Sequence, residues 1–102
     1  MPKYSELHFK LFCILLFCEI KGTTYSRLHM FLNYSRDQFK DYLKDMVNIG
    51  LVESFKGSLE FREGAPNTIF RIPDSIRLEC TYDKLQIDEI ENYIKNKFNI
   101  LK

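Results

Sequence analysis

The sequence predicts an α+β fold made mostly of helix, and three observations carry this prediction. Apolar residues recur at three- and four-residue steps in four segments, which is the period of helices packed on a core. From Leu51 onward the period changes to two, which is typical of strands. Capping residues and glycines mark the ends of these segments. With 102 residues, 45% hydrophobic and 15% aromatic, the chain has enough bulky side chains for one core. We expect one domain over residues 1–102.

The first predicted helix runs from about Ser5 to Ile20, and Gly22 stands where a left-handed residue ends a helix. Its centre, residues 11–18 (LFCILLFC), is apolar on every side. This run is far shorter than the roughly 20 residues that a membrane span needs. Such a helix is either enclosed by its own domain or covered by a partner chain, and the second alternative points to a homodimer.

A short second helix follows, for which Thr23 and Thr24 are candidate N-caps. It is predicted to end near Asn33. The apolar residues that share one of its faces are Tyr25, Leu28 and Leu32.

The start of the third helix has the clearest local signals. Ser35 is a capping residue and Gln38, three residues later, completes a capping box, so the helix begins at Arg36. Tyr34 and Phe39 form the flanking hydrophobic staple.

The end of the third helix is equally well marked, and a β-hairpin follows it. Gly50 takes the left-handed position, and Leu51 is expected to fold back on Met46 in a Schellman motif. Alternation over residues 51–62 and 68–72, around the turn-rich residues 63–67, predicts the two strands. Gly57 is either a separate turn or a bulge within one long strand.

Residues 73–102 are predicted to add a strand and a last helix to the core at about 5–72. Pro73 closes the hairpin, and alternation over residues 76–82 predicts one more short strand. Asp83 caps the last helix, with Gln86 completing a capping box and Tyr82 and Ile87 forming a staple. Its apolar stripe packs either on the first helix or on a symmetry mate; the stripe is Ile87, Ile90, Ile94, Phe98 and Leu101. We predict that this last helix, alone or together with the first helix, forms a homodimer.

The order of helix, short helix, capped helix, hairpin and C-terminal helix is that of a winged helix-turn-helix. Residues 25–53, above all LNYSRDQFKDYLKDMVNIGLV, resemble small archaeal-type winged-helix transcriptional regulators in the Asn-Tyr lead-in, the Tyr-Leu pair and the Gly-Leu-Val exit. The resemblance covers residues 23–72 and implies the fold and DNA binding. Beyond it the chain departs from the family, because Pro73-Asp74-Ser75 replaces the usual Thr-x-x-Gly bridge.

In a winged helix the third helix lies in the major groove of duplex DNA. At 100° per residue, Arg36, Lys40 and Lys44 form one outward row, which we call the cationic row, and Asp37, Asp41 and Asp45 form the next. Arg36 is the candidate for bidentate contact with guanine, and the two lysines for phosphate. The predicted DNA contacts are Tyr34, Ser35, Arg36, Gln38, Lys40 and Lys44 on this helix and its lead-in, with Lys56 and Arg62 near the tip of the wing.

A rival interpretation is a winged helix used for protein contact without nucleic acid. Fifteen Lys and Arg against fourteen Asp and Glu leave a net charge of 15 − 14 = +1. The acidic row beside the cationic row is also what ordinary helix-surface ion pairs look like.

Other functional classes find little support in the sequence. His8 and His29 have no Cys or carboxylate near them at the spacing of metal ligands. The sequence also contains no phosphate-binding loop and no nucleophile elbow. We therefore predict neither an enzyme nor a cofactor. Cys13 and Cys18 are predicted to be core fillers. With Cys80 they make an odd number without a secretory signal, so a reducing cytoplasm is expected.

Overall fold

The structure, a computed structural model, describes residues 3–57, 67–81 and 87–100. Within them the architecture is mostly helical α+β, as predicted, with one two-stranded antiparallel sheet. The elements are α1 (Glu6–Cys13), a π-helical turn (Ile14–Cys18), α2 (Tyr25–Leu28), α3 (Arg36–Asn48), β1 (Glu53–Gly57), β2 (Asn67–Arg71), α4 (Asp74–Thr81) and α5 (Ile87–Ile100).

The first helix is shorter than predicted and ends in a π-helical turn. The Glu19 N–H donates to the Ile14 carbonyl at 2.8 Å, which is the wide i to i+5 bond of a π-helix. The helix lies against the core along much of its length, but Phe17 and Ile20 at its end are exposed. Gly22 then has φ of +109°, the left-handed conformation that the sequence predicts.

The short second helix begins where predicted, with Thr24 in the N-cap position, and ends at Leu28, earlier than Asn33. Just before it, Thr23 pairs with Phe70 of β2 through two backbone hydrogen bonds of 2.8 and 2.9 Å. This bridge fixes the start of α2 against the hairpin.

Both ends of α3 match the sequence prediction. Ser35 and Gln38 form the capping box. At the other end the Leu51 N–H donates to the Met46 carbonyl and the Gly50 N–H to the Val47 carbonyl, which is the Schellman pattern.

The hairpin is also confirmed, with Glu53 opposite Arg71 and Gly57 opposite Asn67. Gly57 therefore lies in the paired strand and is not a separate turn. Residues 58–66, which include Arg62 and most of the predicted turn, lie outside the described residues.

The strand predicted over residues 76–82 is wrong, because residues 74–81 form α4. Alternate apolar residues suggested the strand, but Leu78 is 61% exposed while Cys80 is buried, so the spacing that matters is the four-residue step from Ile76 to Cys80. Arg77 anchors the helix, since its guanidinium donates to the carbonyls of Leu15 and Leu16 at 2.9 and 2.7 Å.

The last helix, α5, packs on α1 within the same chain. Ile90, Ile94 and Phe98 are buried in the core, and the Phe98 ring lies 4.7 Å from that of His8. These three side chains are therefore not available to a symmetry mate. The predicted caps over residues 82–86, with the side chains of Ile87 and Leu101, lie outside the described residues.

Among the helices described, none combines the length and apolar character needed to cross a membrane.

Candidate nucleic-acid interface

The cationic row lies on the outer face of α3. Phe39, Leu43 and Met46 are fully buried on the inner face and hold the helix against the core. This fixes the opposite face toward solvent, where Arg36, Lys40 and Lys44 are all exposed. The row is therefore displayed outward, as its spacing predicts.

Neighbouring aspartates do not neutralise the cationic row. In the part of the chain that the structure describes, no carboxylate oxygen lies within salt-bridge distance of Arg36, Lys40 or Lys44. Asp45 is turned away from the row, since its Oδ2 contacts His8 Nε2 at 3.0 Å. The row can thus meet a polyanion without first breaking an ion pair.

The capping box restricts two of the predicted DNA contacts. The Ser35 N–H donates to Gln38 Oε1 at 3.0 Å, and the Gln38 N–H donates to Ser35 Oγ at 3.2 Å. Only the amide NH₂ of Gln38 is left for a base, so it cannot read adenine bidentately without releasing the cap. The Tyr34 ring packs edge-on against Phe39 at 6.1 Å, which confirms the staple.

Arg36 has a partner that the sequence did not indicate. Its guanidinium lies over the ring of Tyr25, 5.0 Å from the centroid. The two residues line a cavity of about 130 Å³, the polar cleft, between α2, the start of α3 and β2. The residues that line it are Thr24, Tyr25, Ser26, His29, Arg36 and Thr68.

The basic residues of the hairpin differ in whether a carboxylate neutralises them. Lys56 is exposed and its Nζ donates to Thr68 Oγ1 across the strands at 2.8 Å. Arg71 is held by two carboxylates, Glu53 at 2.8 Å and Asp74 at 2.9 Å. Of these two cations of the hairpin, Lys56 is therefore the one without a carboxylate partner among the described residues.

A buried histidine links α1 to α3. His8 is 1% exposed, and the Ser5 N–H donates to its Nδ1 at 3.0 Å. The neutral ring therefore carries its proton on Nε2 and donates it to Asp45. Sequence reasoning missed this pair because its members are 37 positions apart. Burial lowers the pKa of His8, and Asp45 opposes this shift only in part.

The free energy of unfolding should consequently decrease as the pH is lowered through the range in which histidine titrates in the unfolded chain. Below about pH 6.5 the unfolded chain takes up a proton that the folded His8 resists, so stability present above that pH is lost as pH falls. The loss is at most about 1.4 kcal/mol per pH unit. Urea unfolding at pH 7.5 and 5.5 measures it. We expect His8→Gln to remove this dependence and His29→Gln to retain it; the reverse pattern would contradict the assignment.

The cysteines differ from their predicted role in one case. Cys80 is buried and Cys13 half-buried, and burial raises the pKa of each thiol to about 11. Cys18 is exposed, so the prediction that it fills the core is wrong. Among the described residues, no cluster of three or more His, Cys, Asp and Glu side chains is placed to hold a metal ion.

Comparison with known proteins gives a likeness of fold. No protein-family model matches the chain, and no curated protein is significantly similar to it in sequence. A solved structure of a transcriptional regulator homologue protein from Pyrococcus horikoshii OT3 superimposes with a TM-score of 0.60 at 15% sequence identity. The match covers 96% of this chain and 85% of that one. The chain thus shares its overall fold with that protein.

Proposed function

We propose that this protein is a cytoplasmic, homodimeric transcriptional regulator that binds double-stranded DNA sequence-specifically, with α3 in the major groove and the wing on the backbone. The observation that carries the proposal is the cationic row, exposed and without a carboxylate partner among the described residues. The fold shared with a transcriptional regulator homologue supports it.

Within this proposal the two lysines and the arginine have different tasks. Lys40 and Lys44 contact phosphates along one side of the groove. The sequence alone favours guanine as the partner of Arg36, whereas its position over Tyr25 favours the backbone. Base edges are then left to the free amide NH₂ of Gln38, while Tyr34 contacts a phosphate through its hydroxyl and the Ser35 hydroxyl stays in the capping box.

The salt dependence of binding to a random duplex tests the proposal. With three to five phosphates neutralised per subunit, the slope of log affinity against log salt should be roughly −3 to −5 per subunit. Lys40→Gln and Lys44→Gln should each make the slope about one unit shallower. Lys10→Gln, which removes a cation on α1 that pairs with Glu6, should leave the slope unchanged. No binding at 50 mM salt would contradict the proposal.

A second candidate function is protein contact through the same face. Met30 and Phe31 are exposed apolar side chains in the segment that leads from α2 to α3. Asp37 and Asp41 are exposed on α3 itself. Such a mixed apolar and acidic surface suits a protein partner better than DNA. Absence of any duplex affinity at low salt would favour this function.

The proposed dimer uses the end of the first helix. Phe17 and Ile20 are exposed there, and so is Leu78, next to the Arg77 that joins α4 to the same helix. Burying these side chains against a second copy would stabilise the dimer at about 25 cal/mol per Å² of apolar area. We expect the wild type to sediment at twice 12.2 kDa and Phe17→Asp with Leu78→Asp at 12.2 kDa.

The control for this experiment is Met30→Asp, which adds a charge at an exposed apolar residue that follows α2 and is not one of the proposed dimer contacts. It should remain dimeric. A monomeric wild type would contradict the dimer without affecting the fold.

A further inference from the structure

We infer that the polar cleft binds one phosphate group. The cleft lies where three separate segments meet: α2 with its flanking residues Thr24 and His29, the start of α3 and the first half of β2. The backbone bridge between Thr23 and Phe70 holds the first of these segments against the third. The cleft is thus a feature of the folded chain rather than of one helix end.

The lining of the cleft is chemically one-sided. Each of its six residues carries an O–H or N–H donor, and none carries a carboxylate. Arg36 adds a permanent positive charge and five donors. Lys56 brings a second positive charge near the rim, because its Nζ lies 2.8 Å from the Thr68 hydroxyl. Since that hydroxyl accepts from Lys56, its own proton is free for a ligand. Two positive charges, several donors and no carboxylate make this arrangement suitable for an anion.

Thr24 gives an independent indication of a ligand. It is 4% exposed, and its hydroxyl has no hydrogen-bond partner in the described part of the chain. It occupies the N-cap position of α2, yet it does not cap the helix. A buried hydroxyl without a partner costs free energy, and a native chain normally avoids that cost. A phosphate oxygen in the cleft would supply the missing partner.

The size of the cleft indicates how much of a ligand it holds. At about 130 Å³ it has room for roughly four waters, well below the 300 Å³ or more typical of sites for whole small molecules. The space suits a single phosphate group. The Tyr25 ring fixes the guanidinium of Arg36 in place, which reduces the entropy lost on binding.

Two sources supply such a group, the backbone of duplex DNA and the free phosphate ion. For DNA, the inference rests on the proposed function and deepens it. Arg36 then belongs to the backbone contacts, and its loss should weaken binding to every sequence equally. If the ligand is the free phosphate ion, the inference does not depend on the proposed function.

The test uses Thr24→Val with Thr68→Val, which removes two hydroxyls while it preserves shape and charge. In duplex titrations we expect about a tenfold or greater loss of affinity, equal on unrelated sequences, with the salt slope unchanged. Arg36→Gln should make the slope about one unit shallower, like Lys44→Gln. The control Ser54→Ala, which removes an exposed hydroxyl on β1, should have no effect.

A second arm titrates the protein with inorganic phosphate at constant ionic strength and follows backbone amide shifts. Shifts at Thr24, Ser26 and Thr68 that vanish in the double variant support the site. If phosphate binds there and duplex DNA does not, the proposed function fails and the site stands with free phosphate as its occupant. If duplex binding is unaffected and no amide of the cleft responds to phosphate, the inference is overturned and the proposed function stands.

Stability provides a further check on the role of Thr24. Because its hydroxyl has no partner, Thr24→Val alone should unfold at the same temperature as the wild type or higher. A clearly lower unfolding temperature would show that the hydroxyl has a structural task, and would overturn the argument from its burial.

Discussion

Reversing two charges on α3, by Lys40→Glu with Lys44→Glu, should lower the affinity for duplex DNA by about a thousandfold or more. Two attractive phosphate contacts become repulsive ones, and like charges brought together in an interface cost several kcal/mol, while each 1.4 kcal/mol is a tenfold change in affinity. Both side chains are exposed, so the fold should be retained. Fluorescence anisotropy at 50 to 100 mM salt measures the effect.

The matched control is Lys95→Glu with Lys97→Glu on α5. It changes the net charge by the same amount but on a helix in which the proposal names no DNA contact. We expect a loss of about tenfold or less, through the general field of the protein alone. Equal losses in the two double variants would mean that affinity depends on net charge and not on the cationic row.

Gly22→Ala should lower the free energy of unfolding by about 2 to 4 kcal/mol. The residue has φ of +109°, which a side chain rarely adopts. A Cβ there would also lie 2.7 Å from Ile69 Cγ2 and 3.2 Å from the Phe70 carbonyl oxygen. The backbone strain and the close contact both occur next to Thr23, whose backbone pairs with Phe70 of β2, so we expect the substitution to disturb this pairing. Urea unfolding measures the change.

Gly50→Ala separates the two causes. Gly50 has φ of +86°, but a Cβ at this position meets nothing within 4 Å. Only backbone strain remains, and we expect a loss of about 1 to 2 kcal/mol. If Gly22→Ala is no more destabilising than Gly50→Ala, close packing of Gly22 against β2 does not contribute to stability.

Local signals explain which elements the sequence could predict. Both ends of α3 were predictable because the capping box and the Schellman motif involve residues within five positions of each other. The hairpin and the buried face of α3 followed from periodicity in the same way. The helix over residues 74–81 was mistaken for a strand because alternation at 76, 78 and 80 and a four-residue step from 76 to 80 are both present in one short segment.

Contacts between segments that are far apart in the chain could not be predicted from the sequence. The cationic row was predictable, since it lies on one helix. The His8 bond to Asp45 and the position of Arg36 over Tyr25 each join separate helices. The polar cleft needs three segments to come together, and nothing in the spacing of its residues indicates that they do.

Amide chemical-shift mapping of the labelled protein, titrated with duplex DNA at 50 mM salt, tests the central claim most directly. That claim is that the outer face of α3 is the surface that meets nucleic acid. We expect the largest shifts over residues 36–44, with smaller ones at residues 24–26 and 68. Shifts confined to α5 or to the end of the first helix, or none at saturating duplex, would contradict it.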